Sequence, residues 1–362
     1  VNWLASGPFA EVDGLTFGLN AFTSIQAAAN VGSRTVDVAA GTYSENVVLA
    51  RPVSLVGAGS QSVLEASRGA GIGFSINSPA GSTSIEGFTI DGFQTGVSVD
   101  KLATAALAND TISNGVGTGI SNNGVLTFSE SRVLNNQGGT LGGGGGLLNS
   151  GTATVIASTF SGNFANVGGG IYNFGTLTVS DSTLTANSAL LAGGGIENNG
   201  TLTVDSSTLS GNTAKTQGGG GIFNLRIASV ANSIIAGNSV TGANAVDPDV
   251  SGVYAATDHD LIGVLGDATG FATTGSTASI ILNSDDAATI GLAPLADNGG
   301  PTQTIALLPG SPAINAGNVS PAAPFAVPAT DQRGQARVVN GMLDIGAFQI
   351  APPTIAVQNI SA

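Results

Sequence analysis

The chain has 362 residues, of which 55 are glycine, 9% are charged and none is cysteine, and its formal net charge is −14. That charge gives it no electrostatic hold on nucleic acid or on an anionic membrane surface, and without cysteine neither a disulfide framework nor a thiolate metal site can form. Glycine does not recur at every third position, which excludes collagen, and 42% hydrophobic residues is too many for a disordered chain.

No apolar run approaches the ~20 residues of a membrane-spanning helix. The sequence opens Val1-Asn2-Trp3 rather than on Met, which is read as an excised chain whose targeting segment is missing. Residues 22–31 have helical periodicity, with Ile25, Ala28 and Ala29 on one face. This segment precedes the first strands and is expected to cap the apolar end of a solenoid. Residues 35–43 and 52–59 then alternate as strands of degenerate repeats.

The repeat becomes plain further on. Gly-Ile-x-Asn, with one Leu variant, ends at Asn122, Asn149, Asn173, Asn198 and Asn224, spaced by 27, 24, 25 and 26 residues. Ser131, Ser158, Ser182, Ser207 and Ser233 keep the same steps, as do Asn136, Asn163, Asn187, Asn212 and Asn238. Columns that stay in register while the period varies place the variable residues in one loop per repeat, and the glycine-rich runs are that loop. Stretches such as Thr176-Leu177-Thr178-Val179 alternate polar and apolar, the mark of a strand with one buried face. Three short strands in about 25 residues make one coil of an all-β, right-handed parallel β-helix. Coils stack about 4.8 Å apart, so Leu177 is expected on Leu202, and Val155, Val179, Val204 and Val230 in one column. The two asparagine columns are expected to form stacked ladders at left-handed bends, with glycine supplying positive φ at the tight corner.

The expected organisation is a single β-helix domain over 1–349, of about ten to twelve coils. It divides into an N-terminal cap (1–34), regular coils (35–240), and irregular coils with a C-terminal cap (241–349). Residues 350–362 read as a linker, or the start of a following strand or domain, with a strand at 354–357.

Three segments carry a family resemblance. Residues 24–49 (SIQAAANVGSRTVDVAAGTYSENVVL) with 53–59 (VSLVGAG) resemble the opening coils of pectin-lyase-like β-helices. Residues 168–189 (GGGIYNFGTLTVSDSTLTANSA) resemble the repeats of polymorphic outer-membrane-type surface proteins. Leu295-Ala296-Asp297-Asn298-Gly299-Gly300-Pro301-Thr302, Gly310-Ser311-Pro312-Ala313-Ile314-Asn315-Ala316-Gly317, Thr330-Asp331-Gln332-Arg333-Gly334 and Asp344-Ile345-Gly346-Ala347-Phe348 resemble the choice-of-anchor Q domain of bacterial surface proteins. The resemblance implies the fold and an extracellular or cell-surface setting; it does not imply an activity.

A lyase on this fold needs a basic residue beside calcium-binding acids, and a glycosidase a carboxyl pair about 5–9.5 Å apart. Between 102 and 240 the bases are Arg132, Lys215 and Arg226, and the acids Asp110, Glu130, Asp181, Glu197 and Asp205. Asp181 falls one column from Asp205, and Glu130 two coils from Asp181, so no catalytic residue is assigned. Glu130 and Arg132 read as a surface ion pair. The aspartates, glutamines and arginine of a pectinesterase have no matching cluster.

His259 sits in a loop between Asp258 and Asp260, and reads as a solvated histidine. Asp247, Asp249, Asp258 and Asp260 could together hold calcium, a hard cation that takes clustered carboxylates, although their spacing matches no calcium loop; no other cofactor is expected. Thr152 and Thr154, Thr176 and Thr178, Thr201 and Thr203 place paired hydroxyls on three successive coils, a candidate binding face of the kind that meets ice or crystalline surfaces. The expected role is a structural or adhesive module outside a bacterial cell, with a surface glycan or protein as ligand. The alternatives are a filament subunit pairing with itself end to end and a polysaccharide-binding or -degrading enzyme. Neither nucleic acid nor membrane insertion is expected.

Overall fold

The computed structural model describes residues 22–31, 35–66, 69–139, 142–242 and 248–350, with the backbone of 11–12 and 15–16. Asp247 and the strand expected at 354–357 lie outside these residues. Alternating strands stack coil upon coil into three parallel sheets. Sheet one has ten strands, from Thr35–Val38 to Ala256–Asp258. Sheet two has eleven, from Gly41–Tyr43 to Ile280–Ile281. Sheet three has nine, from Val47–Leu49 to Val250–Ser251. A short fourth sheet of four strands, Phe164–Ala165 to Ser239–Val240, lies where the glycine-rich loops begin. The chain is thus a parallel β-solenoid of nine full coils, fewer than the expected ten to twelve, because the chain leaves the stack after residue 281.

Inward positions build one continuous core. Leu177 pairs with Leu202, and Val155, Val179, Val204 and Val230 form one column in sheet one, each at most 1% exposed. Burying one such side chain contributes about 1.5–3 kcal/mol. Phe128 and Phe160 meet edge to face at 5.7 Å inside the stack.

The N-terminal helix is Ile25–Asn30, shorter than expected. Ser24 Oγ accepts from Ala27 N–H at 3.1 Å, and the Glu45 carboxylate accepts from the N–H groups of Ile25 (2.8 Å) and Gln26 (3.1 Å), which fixes its start. Ile25 is buried against the first coils, with Ala28 and Ala29 packed beside it.

The far end departs from expectation. Tyr254, stacked at 4.7 Å on Phe271, closes over the core together with Leu265 and Ala268. Residues 292–349 do not sit on that end. They fold back along the outer face of sheet two, where Leu307, Ala313 and Ile345 join Ile234, Leu261 and Ile290 in a second apolar cluster. The final strands of sheet two are apolar on both faces, and this segment buries the outer one.

Candidate functional site

The repeated polar columns are structural. Asn122, Asn149, Asn173, Asn198 and Asn224 are joined by side-chain amide bonds of 2.7–2.8 Å. Asn136, Asn163, Asn187, Asn212 and Asn238 are joined by bonds of 2.9–3.0 Å. Both sets are buried and satisfied along the axis, as stacked amides require. The serine column forms a third ladder: each hydroxyl from Ser158 to Ser233 accepts from the backbone N–H of the serine one coil earlier. Aspartates continue it, since Asp110 N–H donates to Ser131 Oγ and Ser233 N–H donates to Asp260 Oδ1.

One expectation is corrected. The ladder asparagines do not occupy the left-handed bends. Positive φ falls just before the ladder columns, at Asn135, Gly162, Ala186, Gly211 and Gly237, and at Glu130, Ala157, Asp181, Ser206, Asn232 and His259. A left-handed corner residue turns the chain so that the next side chain points inward and can stack. The glycine corner is as expected: Gly144, Gly168, Gly193 and Gly219 all have positive φ.

The segment on the flank of sheet two is held by the residues that carry the choice-of-anchor resemblance. Gln332 is fully buried: its Oε1 accepts from Thr183 Oγ1 at 2.6 Å, and its Nε2 donates to Thr159 Oγ1 (3.0 Å) and Thr302 Oγ1 (2.9 Å). Ala347 N–H donates to Thr208 Oγ1 at 3.0 Å. Asp331 pairs with Arg333 at 2.7 Å, and the Arg333 guanidinium lies 3.6 Å over the Phe348 ring. Beneath them Arg337 is fully buried, donating to the carbonyls of Asp344 and Gly346, with Nε 3.7 Å from Asp181 Oδ1. Burial pushes the Asp181 carboxyl up to about 8 against the pull of Arg337. Burial likewise raises Asp205, whose Oδ2 accepts from Ala326 N–H at 3.2 Å. Together these contacts form a clasp.

The remaining expected sites are placed as follows. The threonine columns are in register: Thr152, Thr176 and Thr201 are exposed, and Thr154, Thr178 and Thr203 half-buried. Val125 and Thr127 precede them and Ile227 and Ser229 follow, so the face is three coils tall. Of the described acids considered for calcium, Asp249 lies at one corner and Asp258 and Asp260 flank another. Asp249 Oδ1 accepts from Asn238 Nδ2 at 2.8 Å at the end of an asparagine ladder, whereas Asp260 ends the serine ladder. Asp258 accepts from Asn318 Nδ2 (3.0 Å) and lies 2.5 Å from His259 Nδ1. Among the described residues no three acids or histidines form a group suited to a metal. His259 is therefore a corner residue tied to Asp258 rather than a free loop histidine. Glu130 occupies a left-handed corner, and the ion pairs of the described residues do not include one between it and Arg132.

A further constellation lies on the outer face of sheet three. Tyr172, Glu197 and Phe223 stand in one outward column on successive coils. Next to it, at the corner leading into sheet one, Phe174 and Leu225 are 50% and 53% exposed. The Tyr172 and Phe174 rings meet at 4.2 Å. Asn199 Nδ2 donates to the Tyr172 hydroxyl (3.0 Å) and to Glu197 Oε1 (3.3 Å). Glu197 is 5% exposed, overlain by the turn at Gly193, and its Oε2 has no hydrogen-bond partner. Burial pushes its carboxyl up to about 7. Outward aromatic residues in the x position of Gly-Ile-x-Asn were the available signal for this site, and the sequence reading used that motif only for its asparagine.

No family model matches the chain, and no curated protein is significantly similar to it. What is established is the architecture, a parallel β-solenoid of nine coils with about 25 residues per turn.

Proposed function

We propose that the chain is a non-catalytic structural or adhesive module on the outside of a bacterial cell, of the choice-of-anchor Q kind, presenting its solenoid wall to a surface ligand. The observation that carries this reading is the way polar side chains are used. Three buried ladders run along the axis and a clasp of polar groups fastens the C-terminal segment to one flank. Such cross-links stiffen a rod and hold its faces fixed, which suits a display scaffold. Of the acids weighed for catalysis, Asp110 and Asp205 accept backbone N–H groups, and Asp181 lies 3.7 Å from Arg337.

Both ends of the stack carry covering residues, Ile25 at one and Tyr254 with Phe271 at the other. That favours a discrete particle over a filament growing end to end. Light scattering with negative-stain microscopy, with and without calcium, tests this. Discrete monomers are expected, and rods lengthening with concentration would replace the reading with a filament subunit. Release of reducing ends from a polysaccharide panel would overturn the non-catalytic part.

A further inference from the structure

We infer that the corner between sheets three and one, built from Tyr172, Phe174, Glu197, Asn199, Phe223 and Leu225, is a binding face for a neutral polysaccharide chain lying along the solenoid axis. The inference deepens the adhesive reading above and rests on it.

The composition of the face carries the argument. Tyr172 and Phe174, 4.2 Å apart, offer a tilted ring pair with Phe174 half exposed. Aromatic faces of this kind pack on the C–H faces of pyranose rings, which are apolar above and below and polar at the rim. Polar groups sit directly beside the rings: the Asn199 amide donates to the Tyr172 hydroxyl and to Glu197 Oε1.

The geometry adds direction. Tyr172, Glu197 and Phe223 occupy the same column on three successive coils, so the face repeats about every 4.8 Å along the axis. A linear glycan running parallel to the axis meets the same column once per coil. Charge then chooses among glycans. A protein with net charge −14 repels polyanions, and the acid within this face is held towards its neutral form by burial. A protein partner fits less well, because Glu197 and Asn199 interrupt the apolar area.

The test is a pull-down of the intact chain with insoluble cellulose, chitin and xylan, alongside the acidic polymers pectate and alginate. Retention on a neutral polymer is expected. Tyr172→Ala and Phe174→Ala should each weaken it about three- to tenfold, while Val319→Ala, exposed on the flanking segment, leaves it unchanged. Circular dichroism of each variant separates loss of binding from loss of fold, and Phe174→Leu, exposed and apolar, is the variant for which the fold is least at risk. Retention only on acidic polymers, on none, or undiminished in the folded ring variants overturns the inference. Loss in Thr152→Ala and Thr176→Ala but not in the ring variants overturns it in favour of sheet one. Cleavage of a bound polymer would instead end the non-catalytic reading and leave the ligand class standing.

Discussion

Asp249 closes the second asparagine ladder: its Oδ1 accepts from both the backbone N–H (3.0 Å) and the side-chain amide (2.8 Å) of Asn238. Its other oxygen accepts from Val264 N–H at 2.7 Å and lies beside Asp285. Gly263 makes room for this, since a Cβ there would lie 2.3 Å from Asp249 Oδ2 and 2.8 Å from Asp285 Oδ1. Burial, reinforced by Asp285, pushes Asp249 up to about 8. A ladder of amides therefore ends in a carboxyl group whose pKa is raised by burial and by Asp285.

This sets an unusual pH dependence. Asp181 and Asp249 are raised to about 8 and Glu197 to about 7, chiefly by burial. In the unfolded chain these groups ionise near pH 4. Between about pH 4 and 8 the unfolded state has therefore lost protons that the folded state retains, and stability falls as pH rises through that window. Urea unfolding should give a free energy at least about 2 kcal/mol larger at pH 5 than at pH 8.5. A midpoint that increases with pH would contradict the assignment.

The asparagine ladders should be cooperative supports. Asn187→Ala removes the acceptor for Asn163 N–H (3.1 Å) and Nδ2 (2.9 Å) and the donor to Asn212. A cost of roughly 2–4 kcal/mol is expected from the stranded donors and the cavity. Exposed Thr176→Ala, two faces away, should change stability by no more than about 0.5 kcal/mol. Equal effects in denaturant titrations would mean that the ladder is dispensable.

Arg337 should hold the flank rather than the coils. Arg337→Met leaves the Asp344 and Gly346 carbonyls without its donors and removes the guanidinium beside Asp181. Stranding these buried carbonyls costs about 1–3 kcal/mol each. Hydrogen exchange should accelerate across 302–349 while 176–230 stays protected.

Gly193 tests the glycine corner. Its φ is +63°, and a Cβ would stand 2.6 Å from the Ile196 carbonyl oxygen. Gly193→Ala should destabilise by roughly 2 kcal/mol, and a neutral result in thermal melts would mean that the loop relaxes freely.

The repeat alone determined the solenoid. A column such as Asn173–Asn198 or Val179–Val204 needs only a constant step within each coil, because a parallel stack places equivalent residues one above another. Strand register, the ladders and the helix beginning near Ile25 follow from that local periodicity. The left-handed positions were assigned one residue too late, because the same asparagine propensity serves a bend at Asn135 and an amide ladder at Asn136.

Tertiary structure decided the rest. The bond between Thr183 and Gln332 spans 149 residues and that between Ser158 and Gln332 spans 174, and Gln332 belongs to no repeat column. Whether residues 292–349 close the end or lie along the flank depends on which apolar surface remains uncovered. Sheet two leaves its outer face at Ile234 and Leu261 bare, while Tyr254 and Phe271 already cover the end. The fates of Asp249, Asp258 and Asp260 were equally hidden, since Asp249 closes one ladder at its own corner while Asp258 and Asp260 flank another corner of the coil. Local period fixes what recurs, whereas a contact made once is set by the surface that folding leaves exposed.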